Sequence, residues 1–107
     1  MTTTNGNYRI QWPNGLALDI SKRRVYWVEA KGSKGIYSTD YWGEGFRTDL
    51  LSSDIQHPFS IAVTADWFVW TDWDKQGIIA SRRCSNETNV VSFWIRFPDF
   101  ALRERAY

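Results

Sequence analysis

The chain has 107 residues, which is the length of one ordinary domain, and 17% of them are aromatic. The net charge is +1, and acidic and basic residues are interleaved, which argues against nucleic acid or acidic lipid as a partner. The single cysteine excludes a disulfide within the chain, and the sequence has neither a signal-peptide pattern nor an apolar run of membrane-spanning length.

The first half of the chain has strand-like runs separated by turn residues, as in a β-rich unit. Residues 1–7 are polar and predict a disordered start, and residues 8–56 form the first predicted unit, opening with a strand at Tyr8–Gln11 that would belong to a preceding unit. Pro13-Asn14-Gly15 predicts a tight turn, because proline fixes φ and Asn-Gly tolerates positive φ. The strands predicted next are Leu16–Ile20, Val25–Glu29, Ile36–Asp40 and Phe46–Leu51. The small and branched side chains of Leu16–Ile20 would suit the crowded central axis of a ring-shaped fold.

Residues 57–96 repeat this course as a second unit. Its predicted strands are Ile61–Val63, Phe68–Thr71, Ile78–Arg82 and Val90–Phe93. Residues 97–107 resemble either the start of a third unit or a divergent tail, with arginines where apolar residues are expected. No convincing helical periodicity occurs anywhere in the chain.

Two aromatic runs, Val25–Glu29 and Phe68–Trp73, dominate the pattern. Successive aromatic and β-branched residues disfavour a helix, and apolar residues at odd and even positions alike predict strands buried on both faces. Each run leads into a carboxylate, Glu29 or Asp72. A buried carboxylate needs donors, so we expect both to accept hydrogen bonds from backbone amides or from an arginine.

The runs recur with their surroundings. Pro58 lies 45 positions after Pro13, and Trp70 lies 43 positions after Trp27. A period of about 40 to 50 residues with several strands per unit predicts an all-β chain that forms about two blades of a β-propeller, each a four-stranded antiparallel sheet. Because a propeller closes with roughly 4 to 8 blades, we expect an incomplete ring that belongs to a larger one or self-associates.

The motifs Tyr26-Trp27 and Trp70-Thr71-Asp72, with the Pro13–Asp19 stretch before the first, resemble the YWTD repeats of the low-density lipoprotein receptor class. That resemblance implies a six-bladed propeller in which the repeat residues hold the blades, namely Pro13, Gly15, Tyr26, Trp27, Glu29, Pro58, Trp70, Thr71 and Asp72. The chain departs from the pattern where Glu29 replaces aspartate and Val69 replaces tyrosine. Glu29, with its longer side chain, is not expected to repeat all the contacts of Asp72.

The resemblance also implies a function. It predicts an extracellular protein-binding module in the ectodomain of a single-pass receptor, facing lipoprotein- or Wnt-pathway-like protein ligands and flanked by epidermal-growth-factor-like modules. No catalysis, cofactor, metal or small-molecule substrate is expected. Trp12 and Asn14 are the predicted ligand contacts, because a rim tryptophan offers an apolar platform and an asparagine amide offers a paired donor and acceptor.

Several alternatives remain open on the sequence alone. Asn14 and Trp12 could serve only the turn and the blade seam, and Asn14 could instead ligate a metal in a lactonase-like hydrolase. A purely structural matrix scaffold is a third class. His57, the only histidine, is either a turn residue or a pH sensor, and Asn86-Glu87-Thr88 is an N-glycosylation sequon.

Overall fold

The computed structural model describes residues 10–83 and 92–96, which form eight strands. The first sheet contains β1 (Pro13–Asp19), β2 (Arg24–Glu29), β3 (Gly35–Asp40) and β4 (Arg47–Leu50). The second contains β5 (Pro58–Val63), β6 (Trp67–Asp72), β7 (Gly77–Arg82) and β8 (Ser92–Arg96). Each sheet is a four-stranded antiparallel meander in chain order, so the all-β, two-blade prediction is confirmed. In the described residues, no helix is long and apolar enough to cross a membrane.

The first two strands of each sheet pair in the same register. Pro13 pairs with Glu29 in the first sheet, and Pro58 pairs with Asp72 in the second. Both pairings are followed by a shift that marks a β-bulge, between Asn14 and Leu16 and between Pro58 and Ile61. Pro13 and Pro58 thus begin β1 and β5, and the aromatic runs follow as the second strands.

The core lies in the seam between the sheets. The first sheet contributes Tyr26, Val28 and Ile36, the connection between the sheets contributes Ile55, and the second sheet contributes Phe68, Trp70 and Ile79. The Tyr26 and Phe68 rings lie 5.7 Å apart at 56°, a tilted pair of the kind that adds attraction beyond area burial. Each fully buried side chain of this size contributes about 1.5–3 kcal/mol, so the seam is the main source of stability.

Arg83 joins the two sheets at one end of this seam. Its Nη2 donates to the Tyr26 hydroxyl at 2.7 Å, and its Nη1 lies 3.4 Å from Asp19 Oδ2 and donates to the Thr64 carbonyl. The guanidinium carbon sits 5.0 Å from the Tyr26 ring centroid and 5.1 Å from that of Phe68. Planar stacking with simultaneous hydrogen bonding suits arginine and not lysine.

Several sequence expectations differ from the structure. Pro13-Asn14-Gly15 is not a separate turn, because it forms the bulged start of β1, with Gly15 at φ 76. Ile10 and Gln11 lie outside any strand, since the Gln11 amide is bound by the Glu29 carboxylate and not by a neighbouring strand. The predicted place of β1 at a ring axis stays a prediction, because two sheets leave such an axis open and the large side chains are exposed: Leu16 66%, Leu18 54% and, just beyond β1, Ile20 76%.

Other boundaries shift by one to three residues. β4 begins at Arg47, because the Phe46 ring instead stacks on Tyr37 at 5.7 Å and lies 6.4 Å from Trp27. β8 spans Ser92–Arg96, beyond the predicted end at Phe93. The expected strand start at Val90, the tail 97–107, the polar start 1–7 and the Asn86 sequon lie outside the described residues.

Burial on both faces holds for only one aromatic run. In β2 the last four residues are all buried, whereas β6 alternates between half-buried and buried positions. The difference follows from Trp27, which stacks on Tyr37 at 6.2 Å on the face of the first sheet away from the seam. The face of β6 away from the seam carries Val69 and Thr71, which are smaller and stay half-buried.

Candidate ligand-binding face

A buried carboxylate organises the end of the second sheet where β5 begins. Asp72 is 0% exposed and accepts hydrogen bonds from four backbone amides. Two belong to the incoming linker, Gln56 at 2.9 Å and His57 at 3.1 Å, and two belong to the following turn, Asp74 at 3.1 Å and Lys75 at 3.3 Å. A carboxylate with this many amide donors fixes linker and turn together.

Glu29, at the equivalent position of the first sheet, accepts hydrogen bonds from only two described backbone amides. Its Oε2 accepts from the linker amides of Gln11 at 3.3 Å and Trp12 at 2.9 Å. Its Oε1 is buried and has no hydrogen-bond partner in the part of the chain that the structure describes. The extra methylene carries the second oxygen away from the following turn, so the Glu-for-Asp departure has a visible structural cost.

Thr71 has a specific role that valine cannot fill in the first sheet. Its Oγ1 accepts from the Ser60 amide at 3.2 Å and lies 3.4 Å from the Ser60 hydroxyl. The Ser60 amide lies in the bulge of β5, where the regular strand pairing is interrupted. Val28 occupies the equivalent position of β2, opposite Asn14, and offers no such acceptor.

The bulge of β1 brings the two inner strands together at this end. The Asn14 Nδ2 donates to the Pro58 carbonyl at 3.1 Å, across the seam. A Cβ built on Gly15 would lie 2.8 Å from the Ser60 Cα, closer than real Cβ atoms approach, and Gly15 has a positive φ of 76. Glycine is therefore required here on two counts. Asn14 uses one amide hydrogen for the seam, and no described residue pairs with its side-chain oxygen or second N–H.

Four aromatic rings lie beside Asn14 and cross the seam. His57 lies between Trp12, at 6.2 Å and nearly edge-on, and Trp73, at 6.0 Å and 27°. Phe59 lies 6.0 Å from Trp73 on the other side. Trp12 is 49% and Phe59 48% exposed, so the cluster presents flat apolar surface to solvent. We call the set Trp12, Asn14, His57, Phe59 and Trp73 the Trp12 face.

The repeat explains why this surface is unequal in the two sheets. The Ala30 amide donates to the Trp12 carbonyl at 3.0 Å, and the Trp73 amide donates to the His57 carbonyl at the same distance. Trp73 therefore replaces Ala30, and by the same register Phe59 replaces Asn14. Aligning the two Pro-containing turns residue by residue would have singled out Phe59 from sequence. Trp42, by contrast, lies on the β3–β4 turn, 72% exposed, and does not pack in the core.

Charged groups surround the Trp12 face. The Lys75 Nζ pairs with Asp54 Oδ1 at 3.2 Å, while Lys31 and Asp74 are exposed on turns at the same end of the sheets. Burial, together with the negative charge of Glu29, raises the pKa of the Tyr37 phenol, whose hydroxyl donates to the Ser33 carbonyl. Tyr37 thus stays neutral and fixes the β2–β3 turn beside the face.

The lactonase-like alternative requires several oxygen ligands around one metal ion. In residues 10–83 and 92–96, no group of three or more His, Cys, Asp and Glu side chains could hold a metal ion. The turn of the second sheet that corresponds to Asn14 carries Phe59, whose side chain has no ligating atom.

Comparison with curated proteins gives receptor relatives. No protein-family model matches the chain. The vitellogenin receptor Yl of Drosophila melanogaster is 39% identical over 83 residues, which cover 77% of this chain and 4% of that protein. The Homo sapiens low-density lipoprotein receptor-related protein 5-like protein is 37% identical over 86 residues, covering 79% of this chain and 33% of that protein. The Homo sapiens low-density lipoprotein receptor-related protein 4 is 40% identical over 64 residues, which cover 60% of this chain and 3% of that protein.

Comparison with solved structures gives the same fold. A chain in the crystal structure of the nidogen/laminin complex superposes with a TM-score of 0.60 at 23% identity, over 80% of this chain and 35% of that chain. The chain thus spans between 3% and 35% of the length of these proteins.

Proposed function

Because the chain consists of YWTD repeats of the low-density lipoprotein receptor class, we propose that it is a non-catalytic protein-binding part of an extracellular receptor and that the Trp12 face contacts the ligand. One observation carries the proposal. The Trp12 and Phe59 rings are half exposed on a scaffold that backbone hydrogen bonds hold rigid. Rigid, exposed aromatic rings are the side chains that most often dominate protein interfaces.

Asn14 supplies direction to this apolar surface. Its free side-chain oxygen and second N–H can pair with a backbone or side-chain amide of a ligand, while the bond to the Pro58 carbonyl holds its orientation. The ligand class follows from the relatives, whose names include a vitellogenin receptor and lipoprotein receptor-related proteins. We therefore place lipoprotein-type protein ligands first, with the chain in an ectodomain beside epidermal-growth-factor-like modules.

The test uses the receptor ectodomain that contains these two sheets, immobilised on a biosensor, with purified vitellogenin and low-density lipoprotein as probes. Trp12→Ala and Asn14→Ala should each weaken binding of at least one probe by about tenfold or more. Trp42→Ala is the matched control, since it removes an exposed tryptophan at the opposite end of the first sheet. Equal losses for Trp12 and Trp42, or no binding of either probe by the unsubstituted protein, would contradict the proposal.

Two tripeptides test the amide contact separately. Acetyl-Ala-Asn-Ala-amide should shift the side-chain amide resonance of Asn14, whereas acetyl-Ala-Asp-Ala-amide, nearly identical in shape, should not. An identical response to both peptides would remove Asn14 from the ligand-binding set while leaving Trp12 in it.

A further inference from the structure

Trp67 begins β6 and opens a run in which tryptophan recurs at every third position. Trp70 follows Trp67 by three residues, and Trp73 follows Trp70 by three, so the run contains the pattern Trp-x-x-Trp twice. This pattern is the acceptor sequence for C-mannosylation, in which the first tryptophan of the pattern receives the sugar. Trp70 is a repeat residue that fills the seam, whereas Trp67 lies before the repeat motif and is not a core residue of the seam. The packing of the blades therefore does not account for Trp67.

The structure separates the two candidate acceptors. The Trp70 side chain is 1% exposed and packs in the seam between the sheets. A hexose on its indole would have no space there, because protein interiors are close-packed. Trp67 is half-buried, and the alternation along β6 places it on the face away from the seam. Of these two tryptophans, Trp67 is therefore the one that can carry a sugar in the folded chain.

A further sheet packed on that face of β6 would not bury this position. β2 and β6 both have six residues and end on the equivalent carboxylates, so Arg24 holds in the first sheet the place that Trp67 holds in the second. Arg24 alternates with Tyr26 and so lies on the face that the second sheet covers. It is nevertheless only half-buried, and its guanidinium donates to the exposed Gly45 carbonyl at 2.6 Å. The first position of the second strand thus stays at the border with solvent.

The neighbours of Trp67 hold it in a fixed place. Its amide donates to the Thr64 Oγ1 at 3.0 Å, and the Thr64 amide donates to the Trp67 carbonyl at 2.9 Å, which closes the β5–β6 turn. Arg82 pairs with Trp67 across β7, and its guanidinium carbon lies 5.4 Å from the centroid of the Trp67 ring, within the range of a cation–π contact. Because Arg82 is exposed, its guanidinium can also donate to the hydroxyl groups of a sugar on Trp67.

We propose that Trp67 is C-mannosylated, with a polyprenyl-phosphate-linked mannose as the donor. The sugar C1 forms a carbon–carbon bond with the indole C2, and the C2 proton passes to a base of the transferase. The polyprenyl phosphate leaves with the electron pair of the C1–O bond, so the step needs neither an oxidant nor a reductant. The transfer takes place in the secretory pathway, and the site therefore rests on the extracellular placement in the proposed function.

The test uses the full receptor ectodomain that contains these two sheets, secreted by a mammalian cell line and purified from the medium. Trypsin should release residues 48–75 as one peptide, because Arg47 and Lys75 bound a stretch with no other lysine or arginine. The same stretch contains no asparagine, so an N-linked sugar cannot account for a hexose found on it. Tandem mass spectrometry should find one hexose, on Trp67, with Trp70 and Trp73 unmodified.

The fragmentation of the sugar distinguishes C-mannose from a hexose on serine or threonine. A carbon–carbon bond survives collisional activation, so the sugar should break across its ring and leave carbon atoms on Trp67. An O-linked hexose is lost whole, because its glycosidic bond is the weakest link. Absence of hexose from residues 48–75, loss of the whole hexose, or a hexose on Trp70 would each overturn the proposal.

Two variants test the spacing of the motif. Trp70→Phe removes the tryptophan that makes Trp67 an acceptor and should abolish the hexose. Because Trp70 fills the core, the chain retained inside the cells is analysed together with the secreted chain. Trp73→Phe is the matched control, since it removes the second copy of the pattern and should leave the hexose on Trp67 unchanged. Equal hexose content in Trp70→Phe and the unsubstituted protein would contradict the site.

A third variant separates this site from the proposed function. Trp67 lies about 17 Å from Asp72 along β6, at about 3.3 Å per residue, and thus at the opposite end of the strand from the Trp12 face. Trp67→Phe should remove the hexose while leaving the binding of vitellogenin and low-density lipoprotein within about twofold. Secreted protein without hexose would overturn the modification and leave the proposed function intact, whereas failure of the unsubstituted ectodomain to reach the medium would contradict the extracellular placement itself.

Discussion

Glu29 occupies in the first sheet the register position of Asp72 in the second, yet it binds two backbone amides where Asp72 binds four. The two residues differ by one methylene. That methylene leaves Glu29 Oε1 buried without a described partner, and a buried acceptor without a donor is unfavourable.

Glu29→Asp should therefore stabilise the chain. A shorter side chain at the same register can reach the amides of the following turn, as Asp72 does, and we expect the free energy of unfolding to rise by about 0.5–1.5 kcal/mol. Urea denaturation followed by tryptophan fluorescence measures this change. The reciprocal variant, Asp72→Glu, should destabilise; stabilisation by both, or by neither, would show that side-chain length is not what separates the two sites.

Asp72→Ala should be among the more damaging single changes in the second sheet. It leaves four strand-end amides without their acceptor, and we expect a loss of about 1–3 kcal/mol. Equilibrium unfolding in urea reports the loss. Asp74→Ala, an exposed carboxylate two residues on, is the control. Wild-type stability of Asp72→Ala would contradict the structural role given to the carboxylate.

Gly15→Ala should separate the inner strands. The new methyl group would approach the Ser60 Cα to 2.8 Å while the residue also has a positive φ. Gly43→Ala is a matched control, because Gly43 has a similar φ of 81 with nothing within 4 Å of its would-be Cβ. Both variants carry the backbone penalty of about 1 kcal/mol, so any excess loss in Gly15→Ala measures the seam contact. Equal losses would mean that β1 and β5 can move apart freely.

The Asp19–Arg83 pair predicts a defined pH dependence. A hydrogen bond from the Ser21 hydroxyl, with further help from the Lys22 amide and Arg83, holds the pKa of Asp19 below its ordinary value of 3.8. A carboxyl whose pKa falls on folding stabilises the folded state above its unfolded pKa, and this contribution is lost as pH falls through the folded pKa.

The melting temperature of wild type should accordingly exceed that of Asp19→Asn at pH 5 to 7 by a constant amount, and the gap should close only below about pH 4. Thermal melts in matched low-salt buffers measure it. A gap that closes already between pH 7 and pH 5 would assign the pH dependence to another group.

Arg83→Lys tests the geometry of the same contact while keeping its charge. Lysine cannot bind Asp19 and the Tyr26 hydroxyl while stacking on two rings, so we expect a loss of about 1–2 kcal/mol by urea denaturation. Arg82→Lys is the control, because Arg82 is exposed and, among the described residues, stacks on a single ring, that of Trp67. Similar small losses of stability in both variants would show that Arg83 contributes no more than an exposed arginine does.

The architecture could be predicted because it rests on local signals that recur. Pro13 and Pro58, and Trp27 and Trp70, carry the same spacing, and β-branched and aromatic runs have one common outcome, a buried strand. The bulge could not be predicted, because Pro-Asn-Gly satisfies the local rules of a turn and only the partner strand, with Glu29 opposite Pro13, makes it part of a sheet.

The seam and the sites could be predicted only in part. Arg83 sits in an unremarkable stretch of sequence, and its contacts with Asp19 and Tyr26 span 64 and 57 residues, beyond the reach of periodicity. Trp12 and Asn14 were singled out on the family motif, but Phe59 and the exposed side chain of Ile20 follow from which strand faces which, which depends on tertiary packing.

The contact between Gly15 and Ser60 brings the sheets nearly together at their inner strands, whereas farther out two whole rings, Tyr26 and Phe68 with centroids 5.7 Å apart, lie between them. Together these two spacers define a wedge. The volume of one side chain on either spacer sets its opening angle, so the curvature of any larger assembly built from such sheets is adjustable through single substitutions in the seam, without altering a hydrogen bond inside either sheet.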